Sequence, residues 1–273
     1  HKLKEGSVYY GSKLSNDSQI YIAAEYRNED GYDATYNELF PDVGLVTDEV
    51  TRYLNRESVL LGYTKKEFNF FLQAFSDETV GINDAYTDVN TLQPFITQSK
   101  GQLIHLENSW NTDNNRITIF SDYNYYTFDL QIDNLFAPGS DALVTKDNDG
   151  KSDYRLRYGG NVDYSINPSF NLVTGLEHEK RSNGFYRLYS LDAPDEPLVT
   201  PLDKGKVSET SAYTQLEYSL SNWRFIVGSR YTDNQKSGQK FTPRAGIVYK
   251  IDEYQSLKTL YSTGFNSPNP TQT

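Results

Sequence analysis

The sequence predicts an all-β fold: an antiparallel up-and-down transmembrane β-barrel segment of about 12 strands, with short periplasmic turns and long extracellular loops. Three observations predict it. Apolar and polar residues alternate with a period of two over most of the chain, and an amphipathic helical period is missing. The connections between the alternating segments are by turns short and long. If successive strands are antiparallel, all the short ones lie at one end of the sheet and all the long ones at the other. Finally Trp110, just before one short turn, and Trp223, just after another, both sit at the short-turn end, where a ring of amphipathic aromatics would meet a membrane boundary.

Taken in order, strands are expected near 5–14, 19–29, 56–64, 68–79, 101–112, 116–132, 153–165, 170–182, 207–220, 223–233, 241–251 and 256–265. In 19–27, Ile20, Ile22, Ala24 and Tyr26 share one face, while Gln19, Tyr21, Ala23, Glu25 and Arg27 share the other. In 212–220, Ala212, Thr214, Leu216, Tyr218 and Leu220 oppose Tyr213, Gln215, Glu217 and Ser219. In 244–251, Ala245, Ile247, Tyr249 and Ile251 oppose Arg244, Gly246, Val248 and Lys250, and 158–166 and 170–179 read the same way. Each strand thus has one greasy face and one wet one. Short turns are expected at 15–17, 65–67, 113–115, 166–168, 221–222 and 252–254. Long polar loops are expected near 30–55, 80–100, 133–152 and 183–206, with a shorter one at 234–240.

Composition removes several function classes. The 273 residues include no Cys, so there is no disulfide framework, thiolate metal site or cysteine nucleophile. Three His supply little for metal or triad chemistry. A net charge of -11 and a pI near 4.8 argue against nucleic acid as a partner, because phosphate neutralisation needs clustered Lys and Arg. No apolar run approaches the roughly 20 residues of a spanning helix. The mean hydropathy of -0.69 does not remove the membrane, because barrel strands face lipid with every second residue only. The chain opens on His1 rather than Met, which reads either as the start of a mature protein or, the favoured reading, as a piece of a longer chain.

From residue 207 onward a family pattern emerges. A strand holding Gly228, Arg230, Tyr231 and Asp233 is followed by one with Pro243, Arg244, Gly246 and Tyr249, then by Gly264, Phe265 and Pro268. Order and spacing resemble the mid-barrel stretch of TonB-dependent outer-membrane receptors; Asn266 stands where that family often has Arg. Residues 1–206 are compatible by pattern. The resemblance implies an energy-coupled receptor of the bacterial outer membrane that imports a scarce nutrient, a ferric siderophore by family base rate. It implies a barrel of about 22 strands around a plug. Residues 1–273 would then be part of that barrel, roughly its first half, with the plug domain and C-terminal strands absent. Its partners would be outer-membrane lipid, a small-molecule ligand such as a metal chelate, and the TonB complex acting through the absent plug.

Candidate chemistry has mostly duller readings. His178 is flanked by Glu177 and Glu179 on the opposite face, which spoils a shared metal site. His105 shares a face with Leu103 and Glu107 and reads as lumen-facing. The acidic run 145–153, with Asp147, Asn148, Asp149 and Asp153 around Gly150, lacks the first acidic ligand and the bidentate Glu of a calcium loop and reads as a solvated turn. No nucleophile elbow, P-loop or dinucleotide fingerprint is present, so no enzymatic function and no cofactor are expected. The aromatics of the long loops, Tyr32, Tyr36, Phe40 and Tyr53 and then Phe185, Tyr186 and Tyr189, are candidate ligand contacts, or else pack on one another to order the loops. A passive outer-membrane channel or adhesin barrel, and a soluble all-β carbohydrate-binding module, stay open as alternatives.

Overall fold

The computed structural model describes residues 2–15, 17–35, 49–83, 93–132, 142–146, 153–184, 186–190, 193–202 and 204–264. Every element among them is a strand: β1 (Lys2–Ser15), β2 (Ser18–Thr35), β3 (Glu49–Lys65), β4 (Phe68–Asn83), β5 (Gln93–Asn111), β6 (Asn115–Ile132), β7 (Ala142–Lys146), β8 (Tyr154–Asn167), β9 (Phe170–Asn183), β10 (Tyr186–Ser190), β11 (Ala193–Leu202), β12 (Gly205–Leu220), β13 (Trp223–Asn234), β14 (Gly238–Lys250) and β15 (Ser256–Ser262). Twelve of them follow one another in a single antiparallel path, β1-β2-β3-β4-β5-β6-β8-β9-β12-β13-β14-β15, and these are the 12 expected segments.

Two features differ from the sequence reading. Several strands outrun their expected ends: β3 begins at Glu49, inside the expected loop 30–55, and β5 begins at Gln93, inside 80–100. Moreover, the expected loops 133–152 and 183–206 hold three short strands. β6 outruns β8, whose pairing with it stops at Tyr125↔Tyr154, and the backbone groups of Asp129–Ile132 are taken up by β7 instead. β7 passes the pairing to β10, and β10 to β11. An unpaired ladder is costly enough to recruit loop residues into it.

The short turns are tight. Lys65 pairs with Phe68 and Leu220 with Trp223, so two residues close each hairpin. Their first turn residues, Lys66 (φ 50) and Ser221 (φ 51), take the left-handed backbone that such hairpins require. Elsewhere side chains replace it: Asn167 Oδ1 accepts from the amides of Ser169 and Phe170 at 2.9 and 3.0 Å, and Asp252 Oδ1 from those of Tyr254 and Gln255 at 2.7 and 2.8 Å.

Register sorts the side chains across the whole sheet. Tyr164, Leu172, Leu216, Val227 and Ala245 stand opposite one another on one face, as do Leu61, Leu72, Ile104 and Tyr123. Among the described residues nothing covers this apolar face: Leu176, Val227 and Phe241 are 63%, 61% and 64% exposed. Among the described residues the buried apolar side chains are only Val80, Leu188 and Val207. A soluble sandwich buries its greasy faces against a second sheet, so this one has lipid as its partner.

Aromatics mark both edges of the apolar band. At the short-turn end of the apolar face, Phe170 stacks on Tyr218 (4.3 Å between centroids), Trp223 lies 4.5 Å from Tyr249, and Tyr63 and Phe68 are 6.2 Å apart. Trp110 belongs to the same face and end, opposite Ile117. Toward the long-loop end, Tyr123 stacks on Tyr154 and Tyr158 packs on His178. Along β13 the two levels are Trp223 and Tyr231, eight residues or ~26 Å of strand apart, which at a tilt of about 40° is ~20 Å of height, within an apolar band about 25 Å tall.

Candidate functional site

The face opposite the lipid is the site. In any strand of this sheet the residues between the apolar ones must face away from lipid, and in β8, β9, β12 and β13 many of them are charged. One row of directly opposed residues runs His105, Asp122, Arg157, Glu179, Glu209 and Asn234 across six strands. Asp122 is its hub. One carboxylate oxygen bonds His105 Nδ1 at 2.5 Å; the other accepts from Arg157 at 2.6 and 2.8 Å. The Arg157 guanidinium also lies 5.1 Å from the Phe120 ring centroid.

The pairing continues along the wall. Glu179 takes Arg155 at 2.6 Å on one side and Arg181 at 3.0 Å on the other, and Arg181 reaches Glu209 at 3.7 Å. Asn234 Nδ2 donates to Glu209 at 2.8 Å. Nearer the short turns, Arg230 pairs with Glu177 and Arg224 with Glu217. Toward the long-loop end this face turns aromatic, with Phe75 and Tyr126 6.5 Å apart over Gly101, where a Cβ would strike the Phe75 ring at 2.4 Å. The result is a polar wall in which carboxylates and guanidiniums neutralise one another across neighbouring strands.

His105 lies on this wall, as expected from its alternation. His178 is on the lipid side, bonded through Nδ1 to Thr210 Oγ1 at 2.8 Å, while Glu177 and Glu179 face the polar wall. Of the acidic run, Asp153 Oδ1 accepts from the Gly184 amide at 2.8 Å; Asp147, Asn148, Asp149 and Gly150 lie outside the described residues.

The loop aromatics are not brought together among the described residues. Tyr53 belongs to β3 rather than to a loop, on the face of Val59, and its hydroxyl donates to Glu78 Oε1 at 2.8 Å. The Tyr189 hydroxyl in β10 accepts from Arg187 at 3.5 Å. Tyr32 and Tyr186 fall in β2 and β10, with side chains outside the described set; Tyr36, Phe40 and Phe185 lie outside the described residues altogether. What the sequence reading missed is the wall itself. Its signal was present in the in-strand charges Arg155 and Arg157, Glu177 and Glu179, spaced two apart.

The motif residues have structural work. A Cβ on Gly228 would meet Thr214 O at 2.8 Å and Arg244 Nε at 3.0 Å, so the small residue admits the Arg244 side chain across it; one on Gly246 would meet Leu260 at 2.5 Å. Arg230 holds Glu177, Tyr231 belongs to the upper aromatic level and Tyr249 packs on Trp223. Pro243 faces Ser229, and its carbonyl accepts from the Thr263 amide at 3.2 Å. Phe265 and Pro268 lie outside the described residues.

Comparison with known proteins agrees with this architecture. The siderophore receptor PirA from Acinetobacter baumannii superposes with a TM-score of 0.61 at 12% identity, over 97% of this chain and 41% of that one. The siderophore receptor PiuA from the same organism gives 0.63 at 12% identity, over 99% and 48%, and the copper transporter OprC gives 0.50 at 12%, over 94% and 52%. The chain therefore spans about half the length of these structures, and at such identity they speak for the fold. No curated protein matches by sequence. The family described as TonB dependent receptor-like, beta-barrel matches residues 14–273. With its apolar face, two aromatic levels, polar wall and sorted connections, the chain belongs to the TonB-dependent receptor β-barrel family.

Proposed function

We propose that this chain forms the first part of the barrel of an energy-coupled receptor in the bacterial outer membrane, one that imports a scarce nutrient as a metal chelate, a ferric siderophore foremost. The remaining strands and a plug come from residues beyond this stretch, and the TonB complex acts through that plug. The observation that carries the reading is family membership over 14–273, in a family of receptors and transporters rather than enzymes. Two structural features support it. The long connections all leave one end of the sheet, where a ligand would first be met. Below them stands a wall on which Asp122, Glu177, Glu179, Glu209 and Glu217 are each paired with an arginine, so a chelate can pass along that stretch without first breaking free of a single strong counter-charge. Two of the structural neighbours are siderophore receptors, which favours a siderophore over other cargo.

The test is uptake by the complete receptor in cells lacking their own siderophore receptors. Radioactive iron is supplied as catecholate and hydroxamate chelates, with and without a functional TonB complex. Import that needs both receptor and TonB supports the proposal. Copper import without iron import would keep the receptor class and overturn the siderophore. Entry of small solutes regardless of TonB would overturn energy coupling in favour of a passive channel.

A further inference from the structure

The lipid-facing side of β1–β6 is not smooth. It holds a groove of about 800 Å³, within the ~300–1,000 Å³ range of small-molecule sites. Most of its lining residues alternate along the strands, Gly6 and Val8, Gln98 and Lys100, Tyr125 and Thr127, so it opens on the face of Leu61 and Leu72; Glu25, Ser58, Phe75 and Gly101, which lie between them, form its floor. Small side chains make the depression: Ala24 and Ala74 stand in one row with Val59, above the rows of Leu61, Leu72 and Ile104.

Polarity changes sharply across it. The lower row is Ala24, Val59, Ala74, Gln102 and Tyr125; the next row up, two residues or ~6.6 Å along the strands, is Tyr26, Glu57, Ser76, Lys100 and Thr127. That step lies at the upper aromatic level, so the groove straddles the boundary between hydrocarbon and headgroups. An occupant must be apolar below and polar above, and it must reach this face from within the membrane. We propose that the groove holds a phosphorylated membrane lipid of the outer leaflet, one acyl chain over Ala24, Val59 and Ala74 and its phosphate at Lys100. The carboxylates of Glu57 and Asp129 also line the groove, and they suit a head that carries hydroxyl or amine donors beside the phosphate.

The test uses the complete receptor, extracted in mild detergent, with bound lipid read by native mass spectrometry and phosphorus analysis. Retention of a phosphorylated lipid is expected, with retention cut about ten-fold by Ala74→Trp, which fills the groove. Lys100→Gln should weaken it about five-fold, the worth of one lysine beside an anionic membrane surface. Leu176→Trp, on the same face outside the groove, should change nothing. Folding is checked by heat-modifiable mobility in SDS; if Ala74→Trp does not fold, Lys100→Gln and Ser76→Phe carry the test. Equal retention by all folded variants, or loss of phosphate-free lipid only, overturns the proposal. A dimer abolished by the groove variants would overturn it in favour of a second copy. The inference does not depend on cargo, so a receptor that imports no siderophore can still pass this test, and one that does can still fail it.

Discussion

Removing the charge from the hub of the polar wall, by Asp122→Asn, separates a held ion-pair network from incidental proximity. The side chain is 12% exposed and accepts two bonds from Arg157 and one from His105. Charge-assisted bonds of this kind are worth about 1.5–3 kcal/mol each when protected. Arg157, however, is 37% exposed and water takes back part of that, as at surface pairs. A coupling of about 1–2 kcal/mol between Asp122 and Arg157 follows. The assay is a double-mutant cycle with Asp122→Asn and Arg157→Gln in the complete receptor, unfolded by denaturant in lipid vesicles. The double variant should lose less than the two singles together by that amount. Strict additivity, within about 0.3 kcal/mol, would refute the network.

The face assignment predicts a contrast on neighbouring strands. Val227→Arg, midway between Trp223 and Tyr231 on the lipid side, should cost about 2–4 kcal/mol in the same assay, whereas Gln215→Lys on the polar wall should stay within about 0.5 kcal/mol. Trp223→Ala loses its packing on Tyr249 and Phe225 and should destabilise more than Trp110→Ala, by about 1 kcal/mol in lipid; equal losses would count against the aromatic stack. Gly159→Ala places a Cβ 2.4 Å from the Leu176 carbonyl and should cost about 1–3 kcal/mol, while Gly6→Ala, with nothing within 4 Å, should be close to neutral by thermal melting.

Lipid explains which features could be read from the sequence. Inside the hydrocarbon band every second residue must be apolar, so strands such as β9 and β12 announce themselves in chain order. Above the band both faces are wet and the period disappears, though the ladder continues. Glu49–Asn55 of β3 and the start of β5 were therefore expected as loop, and the five-residue strands β7 and β10 left no trace. Tyr53 was placed among loop aromatics for the same reason, whereas its hydroxyl is committed to Glu78 on the next strand. The wall was half legible. Alternation places Glu177 and Glu179 opposite His178, but their partners depend on register: Arg230 is 53 residues from Glu177, and Arg157 35 from Asp122. No local pattern encodes a pair at that separation.

The two faces nevertheless fix that register jointly, and this connects the fold to the proposed passage. Along β9, Glu177, Glu179 and Arg181 face the wall while Leu176, His178 and Lys180 face outward. A one-residue slip would reverse them, turning three charges toward lipid and breaking pairs with Arg230, Arg155 and Glu209 at once. Charges at the lipid face cost up to ~2–4 kcal/mol each for Arg near the midplane and less for carboxylates, so the slipped sheet loses on both sides. The pairs on the wall need not add much net stability to do this, since their guanidiniums are partly exposed, at 48% for Arg155 and 39% for Arg230, and such pairs contribute little net energy while still being lost in the slipped register. A wall selected in this way has its carboxylates and guanidiniums in fixed places, and whatever fills or traverses the barrel meets a constant pattern of charge rather than mobile side chains. Breaking one pair should therefore disturb the alignment of its neighbours along the row before it opens the sheet. In the Asp122 cycle this would register as altered hydrogen-exchange protection at Arg157 and Glu179, ahead of any loss of the folded band.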